Sequence, residues 1–254
     1  MKVLTTLLFT FLLLGLSYGQ TKTIHVYVAL CDNLNQGIVK VPKSLGNGQG
    51  PYGNLYWGAA YGVKNYFDKK SKNWTLIKTI KKPVPNILER VVFRNTENDT
   101  YLVADAYDGA KIKQTIIDFL HATSGNFNKT LMVDGKELPI GGNSDLVAYV
   151  GHNGLMDFTI NEKFTIDRSK NIDAIILACY SKHYFSPYLK AFNINPLIWS
   201  NGLMSPEAYT LKWAIDGWLR NETDLQIANR AREAYNHYQK CGIKGATNLL
   251  ATGF

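Results

Sequence analysis

A chain of 254 residues, 46% hydrophobic and 19% charged, has enough apolar material for a sizeable core. It has neither the polarity of a disordered chain nor the cysteine density of a small disulfide-stapled module. Its 28 Lys and Arg against 20 Asp and Glu give a formal charge of +8. The basic residues are scattered, and their one concentration, from Lys69 to Lys82, reads as a solvated face; nucleic acid is not an expected partner.

The amino end has the form of a secretory signal peptide over residues 1–19. Lys2 supplies the positive start, 7–16 are almost wholly apolar, and Ser17 and Gly19 are the small residues at a cut after Gly19. The apolar run is too short for a membrane span, so a secreted or periplasmic protein is expected, with residues 20–254 as one α/β domain.

Residues 24–30 read as a first strand buried on both faces, closed by Cys31, Asp32 and Asn33. His25 lies at its opposite end and reads as structural. Gly48, Gly50 and Gly53 satisfy G-x-G-x-x-G, but they stand far from the strand and enclose Pro51. That favours a mobile loop at a site rim over a dinucleotide cradle. Asn54 is the expected cap of a helix over 54–67. A strand over 74–80 follows; Pro83 and Pro85 are expected to break the chain, and strands over 87–94 and 100–104 form a hairpin. Asp108 caps a helix over 109–122, flanked by Asp105 and His121, which are given surface roles. Asp134 and Gly135 mark a hairpin turn within 130–142.

The stretch 144–184 organises the rest. Residues 146–150 and 174–177 are short apolar runs rich in β-branched or aromatic side chains, read as two buried strands. The first leads to Gly151, His152, Asn153 and Gly154; the second leads to Ala178, Cys179, Tyr180 and Ser181. As parallel neighbours about 4.8 Å apart, they would deliver His152 and Cys179 together to the carboxyl edge of the sheet, where ligands bind in open α/β folds. Beyond them come a helix starting at Ser186 and Pro187, a strand over 196–200, a turn at Asn201 and Gly202, and helices over 205–220 and 223–240. Strands alternating with helices predict a three-layer α/β fold, its mainly parallel sheet covered by helices on both faces.

A thiol beside an imidazole is the minimal set for a cysteine nucleophile and its general acid/base. The order of strand, His, Gly, spacer, strand and Ala-Cys resembles that of caspases, legumain, gingipain and clostripain, across the middle third of the chain. The resemblance implies a caspase-like fold and a thiol peptidase cutting peptide or protein substrates, with no cofactor. Cys179 is then the nucleophile, His152 the acid/base, and the N–H groups of Gly154 or Asn153 with that of Cys179 the oxyanion donors. The sequence departs from the family in having Asn153 between His152 and Gly154, and Tyr180 and Lys182 after the cysteine. Asp157 or Asp32 is available to orient His152, and Asp216 or Glu207 to shape the specificity pocket.

Two other readings stand beside this one. A non-catalytic secreted binding module would keep the fold and use its 15 Tyr, 11 Phe and 5 Trp as a contact surface. A zinc site would take Cys179, His183, His152 and Cys31. Three cysteines in an exported chain leave at least one free thiol, with a Cys31–Cys241 bridge left open. Asn73, Asn98, Asn128 and Asn221 head glycosylation sequons.

Overall fold

The computed structural model describes residues 21–254 except Arg168 and Lys170; the expected signal peptide lies outside the described residues. The chain runs through β1 (Lys22–Ala29), α1 (Val63–Lys69), β2 (Trp74–Val84), β3 (Ile87–Asn95), β4 (Thr100–Tyr107) and α2 (Ile112–Thr123). A separate hairpin follows, β5 (Lys129–Val133) with β6 (Lys136–Ile140). Then come β7 (Leu146–Val150), β8 (Asp173–Leu177), α3 (Ser181–Phe192), β9 (Pro196–Ser200), α4 (Ala208–Leu219), α5 (Asp224–Gln239), α6 (Ile243–Leu249) and β10 (Leu250–Ala251). Among the described residues no helix is long and apolar enough to cross a membrane.

The strands form an eight-stranded sheet in the order β10-β9-β8-β7-β1-β4-β3-β2. β1, β4, β7, β8 and β9 run parallel, while β2, β3 and β10 add antiparallel edges. The sheet is therefore mixed, because the β2–β3 hairpin folds onto β4 instead of crossing over. Strand alternation explains the two helical layers. Ile24, Val26 and Val28 face α1, α4 and α5, whereas Tyr27, Val147 and Tyr149 face Phe119 of α2 and Phe185 of α3.

Several elements differ from expectation for local reasons. The helix placed over 54–67 begins only at Val63. The Asn54 side chain caps only a turn, accepting the Tyr56 N–H at 3.1 Å, and also ties back to β1, accepting the Cys31 N–H at 3.1 Å and donating to the Cys31 carbonyl at 2.8 Å. The glycine loop is tied down, with Gln49 bonded to Asp32 at 3.0 Å and the Asn33 N–H to the Gly46 carbonyl at 2.9 Å. Pro83 does not stop β2, which runs on to Val84. β2 is the edge strand, where a missing ladder donor is tolerated, and the register shifts between Lys81 and Val84. α3 starts five residues before Ser186, so that Pro187 sits inside it. The buried Ser181 hydroxyl fixes this start by donating to the Ile176 carbonyl at 3.0 Å and accepting the Ser200 N–H at 2.8 Å.

Asp105 is fully buried rather than superficial. It takes Arg90 through two 2.6 Å bonds and His25 Nε2 at 3.0 Å. His25 Nδ1 accepts the Gly141 N–H at 3.1 Å, which assigns the ring proton to Nε2. Burial lowers the His25 pKa below its ordinary value, outweighing the pull of Asp105 upward. The unfolded chain thus binds a proton near pH 6.5 that the folded chain refuses. The stability that neutral His25 contributes is fully present above that pH and is lost as pH falls below it. Urea midpoints measured from pH 7.5 to 5 should fall in the wild type, and the slope should flatten in His25→Gln.

Candidate active site

β1, β7 and β8 are in register, with Val28 beside Val150 and Val150 beside Leu177. His152 and Cys179 each lie two residues past that row, so both leave the same sheet edge. The chain reaches β4 on one side of β1 and β7 on the other. This edge is therefore a topological switch point, the usual place for a ligand crevice.

Between β7 and His152 the backbone passes through Gly151 at φ +152, where an added Cβ would meet the Ala29 carbonyl oxygen at 2.9 Å. Only glycine allows that approach to β1. Tyr180, straight after Cys179, adopts the left-handed conformation at φ 50. This is uncommon for a bulky residue and marks an over-determined site. The Tyr180 N–H donates to the Gly202 carbonyl at 2.8 Å, and α3 begins at the next residue. Cys179 thus stands two residues ahead of a twelve-residue helix. The Met204 N–H points at the Cys179 sulfur, 3.4 Å away, with the Met204 carbonyl at 3.5 Å.

His152 is 7% exposed. Its Nε2 meets Asp157 Oδ2 at 2.7 Å, and its carbonyl accepts the Tyr149 hydroxyl at 2.6 Å. Asp157 is held in turn by the Gly37 N–H at 3.0 Å. Of the two acids considered as orienters, Asp157 takes the position. Asp32 instead accepts the Leu34 N–H and the side chain of Asn35, and these bonds lower its pKa against the opposing effect of burial. Among the described residues His152 Nδ1 has no hydrogen-bond partner, so it remains free for proton exchange.

Asn153 joins the two strand ends. Its amide donates to the Cys179 carbonyl at 2.7 Å and its oxygen accepts the Leu155 N–H at 3.2 Å. Nothing in the strand pattern signals this brace beyond a polar residue at a strand exit. The Gly154 N–H is directed to the His152 carbonyl at 3.1 Å. Of the expected oxyanion donors, the N–H groups of Asn153 and Cys179 are the ones without a partner among the described residues. The Met204 backbone contacts were beyond sequence reading, because a peptide group carries no residue signature.

Cys179 and His152 line one cavity of about 410 Å³, together with Tyr56, Met204 and Glu207. That volume lies within the range of small-ligand sites. Asp216 is elsewhere, paired with Lys212 at 2.6 Å. The zinc arrangement is not assembled: among the described residues no three His, Cys, Asp or Glu side chains converge as metal ligands, and His183 points outward from α3. All three cysteines are free; Cys31 is buried and Cys241 exposed, so they form no bridge. Burial pushes the Cys31 thiol up to about 11.

In comparisons with known proteins, the chain matches no family model, no curated protein and no solved structure.

Asn153 is fully buried, so Asn153→Ala would leave the Cys179 carbonyl and the Leu155 N–H without it. A loss of about 1–3 kcal/mol is expected, read as a lower urea midpoint at unchanged slope. An unchanged midpoint would show that the brace contributes nothing.

Proposed function

We propose that the chain is a secreted, caspase-like thiol hydrolase that cleaves peptide bonds. The observation that carries this reading is the common cavity at the switch point, lined by both Cys179 and His152. Two further features support it: Asp157 on the far nitrogen of the imidazole, and a helix start beside the sulfur.

In this reading His152 Nδ1 takes the thiol proton and Cys179 Sγ attacks the scissile carbonyl carbon. The oxygen of the tetrahedral intermediate lies against the Asn153 and Cys179 N–H groups. The C–N bond then breaks, and His152 returns the proton to the departing amine, leaving a thioester. Water attacks that thioester, losing its proton to His152. The S–C bond breaks, the acid product leaves, and the sulfur regains its proton. Asp157 is a positioning residue that holds the imidazole by Nε2 and leaves Nδ1 to serve the thiol. The substrate must enter past the Met204 peptide, which borders the sulfur.

Hydrolysis of a mixed peptide library, read by mass spectrometry, tests the proposal. Cys179→Ala should abolish cleavage, and His152→Ala should slow it by about a hundred- to ten-thousandfold, the usual contribution of a general acid/base. Asp157→Asn should lower kcat with little change in KM and shift the pH profile, because it turns the ring without touching substrate. A folded wild type that cleaves nothing, with a Cys179 thiol no more reactive than in His152→Ala, would replace the hydrolase by the binding-module reading.

A further inference from the structure

The walls of the cavity beside Cys179 narrow what can occupy it. Three loops give it apolar side chains: Ile38, Val39 and Val41 from the segment after β1, Met156 from the segment after β7, and Leu203 and Met204 from the segment after β9. Val39 is 92% exposed and Leu203 68% exposed. Large apolar groups left in water around a concave site mark a surface awaiting an apolar partner.

Charge leads to the same occupant. Among the described residues lining the cavity there is no Lys or Arg, so an acidic side chain would find no counter-charge there. Glu207 is the one carboxylate among those residues, and one of its two oxygens is engaged. Its Oε2 accepts the Tyr209 hydroxyl at 2.8 Å and the Gln239 amide at 3.2 Å. Burial raises its pKa, which weakens its hold on a cation further. A basic side chain would strip water from its own charge for a single carboxylate, one oxygen of which is already taken. An apolar one would cover Val39 and Leu203 and bring no charge of its own to be desolvated.

We propose that this cavity is the specificity pocket for a large apolar side chain of Leu, Met or Phe size, on the substrate residue whose carbonyl Cys179 attacks, with Val39 and Leu203 closing over it. The inference rests on the hydrolase reading. The test uses intact protein and peptidyl acyloxymethyl ketones that end in Leu, Met, Phe, Lys, Arg or Asp, with alkylation of Cys179 followed by mass. The apolar probes should react at least tenfold faster than the charged ones. Val39→Asp and Leu203→Asp, both on exposed positions, should each slow the Leu probe about tenfold or more, while iodoacetamide, which needs no pocket, still alkylates Cys179. Fastest labelling by the Lys or Arg probe, lost in Glu207→Gln, would overturn the apolar pocket and leave the hydrolase reading intact. Labelling by none of the ketones, with iodoacetamide equally fast in wild type and His152→Ala, would remove both.

Discussion

The register of three parallel strands is the constraint on which the site depends. Val28, Val150 and Leu177 form one row across β1, β7 and β8, and every side chain of the row is buried in the same apolar layer. Because side chains alternate along a strand, a slip of one residue would send each of them to the opposite helical layer. The core therefore enforces the register, and the register sets how far His152 and Cys179 project beyond the sheet. The polar contacts past the strand ends only refine that placement: Asn153 holds the Cys179 carbonyl, and the Ser200 hydroxyl holds the Ala178 carbonyl at 2.6 Å.

The same residue types appear earlier along the sheet in a different role. His25 bonds to Asp105 much as His152 bonds to Asp157, at 3.0 Å and 2.7 Å. Burial and neighbours separate the two pairs. Asp105 is fully buried with Arg90 across it, and both ring nitrogens of His25 are occupied. That pair has no room for a reactant and no spare nitrogen. Asp157 keeps a third of its side chain in water, and His152 borders a cavity. A His–carboxylate pair is thus a structural tie when closed on all sides and a candidate acid/base only where one nitrogen opens onto a cleft.

What was legible in the sequence is what periodicity and strand length encode. The runs over 146–150 and 174–177 became β7 and β8 because continuous β-branched stretches suit strands buried on both faces. Asp108 caps the 3-10 turn Gly109–Lys111 that leads into α2, accepting the Ala110 N–H at 2.9 Å. The misreadings arise where a side chain has a distant partner. Asn54 makes the local bond of a cap, to the Tyr56 N–H, but its amide is also tied to Cys31, 23 positions earlier, and only a turn follows it. Asp105 resembles a surface acid until β3 brings Arg90 alongside it. Pro187 resembles a helix start because the stronger determinant, Ser181 bonding across to β9, is nonlocal. The mixed character of the sheet was hidden for the same reason, since hairpin-like signals at 87–107 do not reveal which neighbour β4 takes next. At the site, the positions of His152 and Cys179 were readable from strand endings, whereas the orienting acid remained a choice between Asp157 and Asp32 until the loop after β7 was folded.

Cys31 and Cys179 offer two thiols at one sheet edge, and their surroundings differ sharply. Cys31 follows β1 by two residues, is fully buried, and sits with Tyr56 against it; its thiol is pushed up to about 11, mainly by loss of water. A group so reluctant to ionise is a poor nucleophile and fills space as a small apolar side chain. Cys179 is only partly buried, receives the Met204 N–H, and precedes the first turn of α3. Its partial exposure and its place in the cavity wall give it the access to a reactant that Cys31 lacks. The contrast comes from topology rather than from residue type. β1 is central, and the loop from 30 to 62 folds back over its end through Asn54, sealing Cys31. β8 is followed at once by α3, which turns away and leaves the sulfur at the mouth. The accessible thiol on this sheet edge is therefore the one at the end of β8, followed at once by the left-handed turn at Tyr180.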